Sequence, residues 1–206
     1  MMKALIFDLG GVVVEWSNEV TYRFIEERYG IAANEFKRES EKGMPRVQTG
    51  EVPEEDWMIN TFRLFGEPPE GCKEVWGMTF EAARYNDKIL KIIERLRRSD
   101  IKVVALSNLE PSRARWLKGH GIDSIFDAVI FSCEVGARKP DFKPADIKDL
   151  SIYRLALNRL GLEAEDCVFV DDNVNCVAAA ELTGMKTILY KDAGELSKEL
   201  HKMGLL

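Results

Sequence analysis

Four short apolar runs, each stopped by a polar residue, constrain how this chain folds. They are Ala4–Phe7 before Asp8, Ile101–Leu106 before Ser107, Ala128–Phe131 before Ser132 and Cys167–Val170 before Asp171, with a fifth, Lys186–Tyr190, near the end. Unbroken Val, Ile, Leu and Phe, rather than alternation with polar residues, is the pattern of strands covered on both faces, as in parallel sheets. Helical spacings lie between the runs from residue 86 onward. Ile89, Ile92, Ile93 and Leu96 recur at i, i+3, i+4 and i+7 behind Asn86 or Asp87 as a helix cap. Pro111 suits the first position of a helix reaching about Lys118, and Leu155, Ala156 and Leu160 mark another closed by Gly161. Two more are expected over Val174–Leu182 and from about Gly194 to Met203. Strand and helix in alternation predict an α/β fold, a doubly wound parallel sheet.

Residues 15–85 break the rhythm. Apolar residues gather at helical spacing around Val20, Phe24 and Tyr29, then Trp57, Phe62 and Phe65, then Trp76 and Phe80, punctuated by Gly43, Pro45, Gly50, Pro53 and Pro68-Pro69 and without a strand-like run. The expected organisation is an α/β core of residues 1–14 and 86–206 carrying a small helical insertion at 15–85. Within the insertion, Trp57 with Thr61, Phe62 and Phe65 reads as internal packing, and Lys42–Arg46 as an exposed bend with a solvated Arg46. The charged stretch Asp141–Leu150 reads as a tolerated insertion in a surface loop, and His120, between two glycines, as a helix end.

Composition removes several classes of function. The 206 residues hold 29 Lys and Arg against 35 Asp and Glu, a net charge of −6, with 46% apolar and 9% aromatic residues. That apolar content excludes disorder, and an acidic chain without a basic run is not expected to bind nucleic acid or an anionic membrane. No segment approaches the ~20 apolar residues of a membrane span, and the N-terminus shows neither an apolar leader nor a cleavage site, so a cytoplasmic protein is expected. Cys72, Cys133, Cys167 and Cys176 lack metal-ligand spacing and read as reduced thiols, with the last three among apolar neighbours. With His120 and His201 the only histidines, a three-histidine zinc centre is impossible. Monomer and homodimer both stay open.

In open parallel sheets, ligands bind beyond the carboxyl ends of the strands. The residues stopping the runs should converge there: Asp8, Ser107 with Asn108, and Asp171 with Asp172. Lys139 lies 32 residues after Ser107 and 32 before Asp171, each about a βαβ unit, and should reach the same edge. Three carboxylates beside one lysine are costly unless a cation joins them. Mg²⁺, which prefers hard oxygen ligands, is the natural guest, leaving one oxygen of Asp8 free as a nucleophile. Gly10 and Gly11 permit a tight turn and close approach of main-chain N–H groups to an anion. Ser107 and Asn108 offer a hydroxyl and amides before a helix N-terminus suited to phosphate.

The order Phe7-Asp8-Leu9-Gly10-Gly11-Val12, Leu106-Ser107-Asn108, Arg138-Lys139-Pro140 and Val170-Asp171-Asp172-Asn173 resembles the haloacid dehalogenase-like (HAD) hydrolases, and the first motif resembles the branch that includes glucose-1-phosphatase. The resemblance implies Mg²⁺-dependent hydrolysis of a small phosphorylated metabolite, a sugar phosphate favoured, through an aspartyl-phosphate on Asp8. It implies Mg²⁺ held by Asp8, the Gly10 carbonyl and Asp171, with Asp172 assisting. Phosphate would meet Ser107, Asn108, Gly10 and Gly11, Lys139 would steady the charge, and 15–85 would be the family's helical cap. One position departs. Most phosphatases of the family carry a second Asp two residues after the nucleophile as general acid and base, where this chain has Gly10. General acid–base catalysis contributes typically 10²–10⁴-fold. The resemblance therefore admits a leaving group needing little protonation, a substitute acid, or a phosphometabolite-binding relative without activity. A 2-haloacid dehalogenase, using the same nucleophile without a metal, is the further alternative.

Overall fold

Each of the five apolar runs becomes a strand, and the parallel register aligns their ends. The computed structural model describes residues 2–140 and 150–206. In chain order the strands are β1 (Ala4–Phe7), β2 (Val14–Glu15), β3 (Arg84–Tyr85), β4 (Lys102–Ser107), β5 (Ala128–Phe131), β6 (Cys167–Asp171) and β7 (Lys186–Leu189). Five of them form one parallel sheet in the order β5-β4-β1-β6-β7, with β1 central. The order reverses at β1, which makes its carboxyl end the topological switch point where such sheets bind ligands. Phe7 pairs with Ala105 on one side and Val170 on the other, so Asp8 emerges level with Asp171.

Successive strand residues face opposite layers. Leu5, Phe7, Val103, Ala105, Val168 and Val170 join one buried cluster, with α5 (Asp87–Arg97) and α6 (Pro111–Gly119) among its helices. Ala4, Ile6, Val104, Leu106 and Phe169 join another, with α9 (Ser151–Leu160) and α10 (Val174–Glu181). Helices on both faces make the sheet doubly wound, as the unbroken apolar runs require. Short α7 (Ile122–Ile125) and α8 (Ser132–Val135) flank β5, and α11 (Ala193–Lys202) closes the chain. None of the helices among the described residues is long and apolar enough to cross a membrane.

Between β2 and β3 lie α1 (Asn18–Tyr29), α2 (Ala33–Gln48), α3 (Glu54–Arg63), α4 (Val75–Met78) and a 3₁₀ turn, Thr79–Ala82. Tyr22, Ile25, Phe36, Trp57, Phe62 and Trp76 bury one another there, separately from the two sheet clusters. Two expectations are corrected. Val14 and Glu15 pair antiparallel with Tyr85 and Arg84, so a two-stranded ribbon joins the helical layer to the sheet where no strand was expected. The expected bend at Lys42–Arg46 lies inside the 16-residue α2, which runs through Gly43 and Pro45. Trp57 explains the glycine: a Cβ at 43 would meet its ring at 2.7 Å, and the same indole donates to the Ser40 carbonyl at 3.0 Å. Packing against this ring outweighs poor helix propensity. Arg46 is exposed and pairs with Glu51 at 2.7 Å. Cys72, Cys167 and Cys176 are buried and Cys133 is half-buried. His120 ends α6, with Nδ1 2.8 Å from the Trp116 carbonyl. Residues 141–149 of the charged stretch lie outside the described residues.

Candidate active site

The carboxyl edge of the sheet gathers Asp8, Ser107, Lys139, Asp171 and Asp172. The Lys139 ammonium lies 2.7 Å from Asp8 Oδ1 and 2.6 Å from Asp171 Oδ2, and the Ser107 hydroxyl donates to Asp8 Oδ1 at 2.9 Å. Ser107 and Lys139 thus hold the Asp8 carboxylate through one oxygen. Asp171 is fully buried and Lys139 is 2% exposed, whereas the Asp8 side chain keeps 12% exposure. Asp171 also accepts the Asn173 N–H at 2.8 Å, and Asn173 in turn caps α10 by accepting from the Asn175 N–H. The Asn108 carboxamide is committed to Lys139: its Nδ2 donates to the Lys139 carbonyl at 2.9 Å and its Oδ1 accepts the Lys139 N–H at 2.7 Å. Asn108 thereby holds the main chain of Lys139 beside the strand ends.

Burial pushes the Asp8 carboxyl up to about 6, with Lys139 pulling it down and Asp171 adding to the rise. Burial works against the Lys139 charge, but Asp171 and Asp8 outweigh it and hold its pKa well above the ordinary lysine value. Asp8, Asp171 and Asp172 each present a carboxylate oxygen within 4.8 Å of the others, a set of hard donors fitting a divalent cation. Gly11 makes this set possible. With φ at +74°, a conformation that favours glycine, it lies so close to Asp172 that a Cβ would fall 2.1 Å from Oδ2.

The helix N-terminus after Asn108, expected to suit phosphate, is that of α6. The first turn of α6 is already occupied by Glu54 of α3, whose carboxylate accepts the Ser112 N–H at 2.7 Å and pairs with the Ser112 hydroxyl. Nearby, the buried Glu110 accepts from Gln48 of α2 at 2.8 Å and faces Arg113 at 3.5 Å, while Arg138 donates to Gln48 at 3.0 Å. None of these contacts was expected. Of them only Glu110, directly before Pro111, carries a local signal, as a helix-start residue.

The profile of the haloacid dehalogenase-like hydrolases matches residues 2–184. This chain belongs to that family. It is 25% identical to drimenol cyclase drtB of Aspergillus calidoustus over 97% of its own length and 36% of the other's. With sesquiterpene phosphatase astK of Aspergillus oryzae it shares 24% identity, over 98% and 96% of the two chains. The chain thus spans little over a third of the first relative and nearly the whole of the second. A HAD family enzyme from Bacteroides thetaiotaomicron, solved with magnesium and inorganic phosphate, superposes with a TM-score of 0.73 at 18% identity, over 95% of this chain and 99% of that one. This last likeness is one of fold. In this chain the parallel sheet brings Asp8, Ser107, Lys139 and Asp171 together at its carboxyl edge.

Proposed function

We propose that this chain is a Mg²⁺-dependent phosphatase that hydrolyses a small phosphorylated metabolite through an aspartyl-phosphate on Asp8, sugar phosphates being the favoured class. One observation carries the reading: Ser107 and Lys139 converge on Asp8 Oδ1, fixing a buried but reachable carboxylate by one oxygen. The second oxygen would attack phosphorus, and a carboxylate held in place by neighbours suits such a nucleophile. Lys139 neutralises charge on Asp8 and on the phosphoryl group at once, a fixed positive charge that needs no rearrangement as the reaction proceeds. Asp8, Asp171 and Asp172, with the Gly10 carbonyl, would hold Mg²⁺, which when bound neutralises the carboxylates and polarises the phosphoryl oxygens. Residues 15–85 would serve as a cap over this edge, excluding bulk water while the phosphoenzyme forms. The phosphatase name of the full-length fungal relative supports the reaction class.

The test is phosphate release from sugar, acyl and aryl phosphates with Mg²⁺, with EDTA, and with Asp8→Asn. Turnover should need both metal and Asp8, falling by at least about 10³-fold without either. Halide release from 2-haloacids without metal would replace this reading with the dehalogenase one.

A further inference from the structure

Gly10 stands two residues after Asp8, and its backbone does not occupy a glycine-specific conformation. Space is what excludes a side chain there. A Cβ on Gly10 would lie 2.7 Å from Cζ2 of Trp16 and 3.2 and 3.3 Å from Cε2 and Cη2, contacts that would force the ring to move. The half-buried ring has neighbours on its protein side: Phe80 meets it edge-on at 4.9 Å, and the Arg113 guanidinium, 4% exposed, lies 6.0 Å from it and 4.6 Å from Trp76. The three atoms nearest the missing side chain are all aromatic carbons, which hold no proton to give a leaving group.

We infer that Trp16 is a specificity-determining residue: its indole fills the place from which a side chain at position 10 would protonate the leaving group, confining the site to phosphates whose leaving oxygen departs without a proton. The inference rests on the phosphatase reading. In the first step an Asp8 oxygen bonds phosphorus as the bond from phosphorus to the leaving oxygen breaks. The electron pair departs on that oxygen, which takes a proton from solvent afterwards. In the second, a water oxygen bonds phosphorus, the Asp8–phosphorus bond breaks with its pair returning to the carboxylate, and the surplus proton goes to solvent. Acyl phosphates, aryl phosphates and sugar phosphates esterified at the anomeric oxygen fit this site, and simple alkyl phosphates do not.

The test is kcat/KM for the Mg²⁺-loaded protein across a series of aryl and alkyl phosphates graded by leaving-group pKa. That ratio reports the step in which the leaving group departs. A fall of 10²-fold or more from the most to the least acidic leaving group is expected, the scale of a missing general acid. A smaller spread overturns the inference while leaving the phosphatase reading intact. Absence of turnover with every member, the activated aryl phosphates included, overturns both. Gly10→Asp and Gly10→Asp/Trp16→Ala separate the indole from other causes. The single variant should stay steep or lose activity, and the double should flatten the series. A series flattened by Gly10→Asp alone would show that the indole is no barrier.

Discussion

At the scale of the residue, Lys139 links the site's chemistry to its stability. Its ammonium is the shared partner of two buried carboxylates, Asp8 and Asp171. Breaking a buried ion pair by removing one partner typically costs about 3–5 kcal/mol, because the remaining charge has lost its solvation without compensation. Lys139→Met should therefore destabilise the protein by about that much in EDTA, read from urea denaturation; a loss under about 1 kcal/mol would show that the carboxylates are neutralised otherwise. Gly11→Ala should reduce metal-dependent turnover by at least about tenfold, because the new methyl would displace Asp172. Asp8, Ser107 and Asp171 were legible because each stands at the end of a strand, and a parallel register carries strand ends to one edge. Glu54 was not: it matters through a contact with Ser112, 58 positions away, a relation with no local signature.

At the scale of the element, helix starts can be tested one at a time. Asn86 begins α5 by accepting from the Lys88 and Ile89 N–H groups, and Asn86→Ala should cost about 1 kcal/mol in thermal or chemical unfolding. Asp192 does the same for α11, and its carboxyl is held below the ordinary 3.8 by the N–H groups of Glu195 and Gly194. A lowered folded value means stability that is present above the unfolded pKa and is lost as pH falls through the folded one. The stability gap between the native protein and Asp192→Ala should thus hold at neutral pH and shrink below about pH 4. A gap that widens on acidification would contradict it. Spacing revealed α5, α6, α9, α10 and α11 because their apolar faces repeat, and missed the one-turn α7 and α8. It missed α2, whose Gly43 and Pro45 look like a break until Trp57 is seen to pack on the glycine, and it missed β2 and β3, two residues each and too short to show a period.

At the scale of the whole molecule, buried polar contacts tie the helical layer to the sheet-bearing part. Gln48 donates to Glu110 and accepts from Arg138, while Glu54 holds the start of α6. Replacing Gln48 by Ala leaves the buried Glu110 Oε1 without this donor, a loss of about 1–3 kcal/mol. Limited proteolysis should then cut residues 18–82 faster than in the native protein, and equal rates would mean that these contacts do not govern opening. Charge balance makes a global prediction too. If Mg²⁺ joins the three carboxylates, adding it should raise the melting temperature, since a ligand at 100 times its Kd stabilises by about 2.7 kcal/mol, and Asp171→Asn should abolish the rise.

The ribbon of β2 and β3 has a consequence of another kind. With Val14 beside Tyr85 and Glu15 beside Arg84, the chain leaves the sheet-bearing part and returns to it at neighbouring points. The strands on either side need only that these two points meet, whatever length of polypeptide runs between them. Such a junction acts as a socket: heritable change can lengthen, shorten or exchange the intervening segment without renegotiating the order of the sheet.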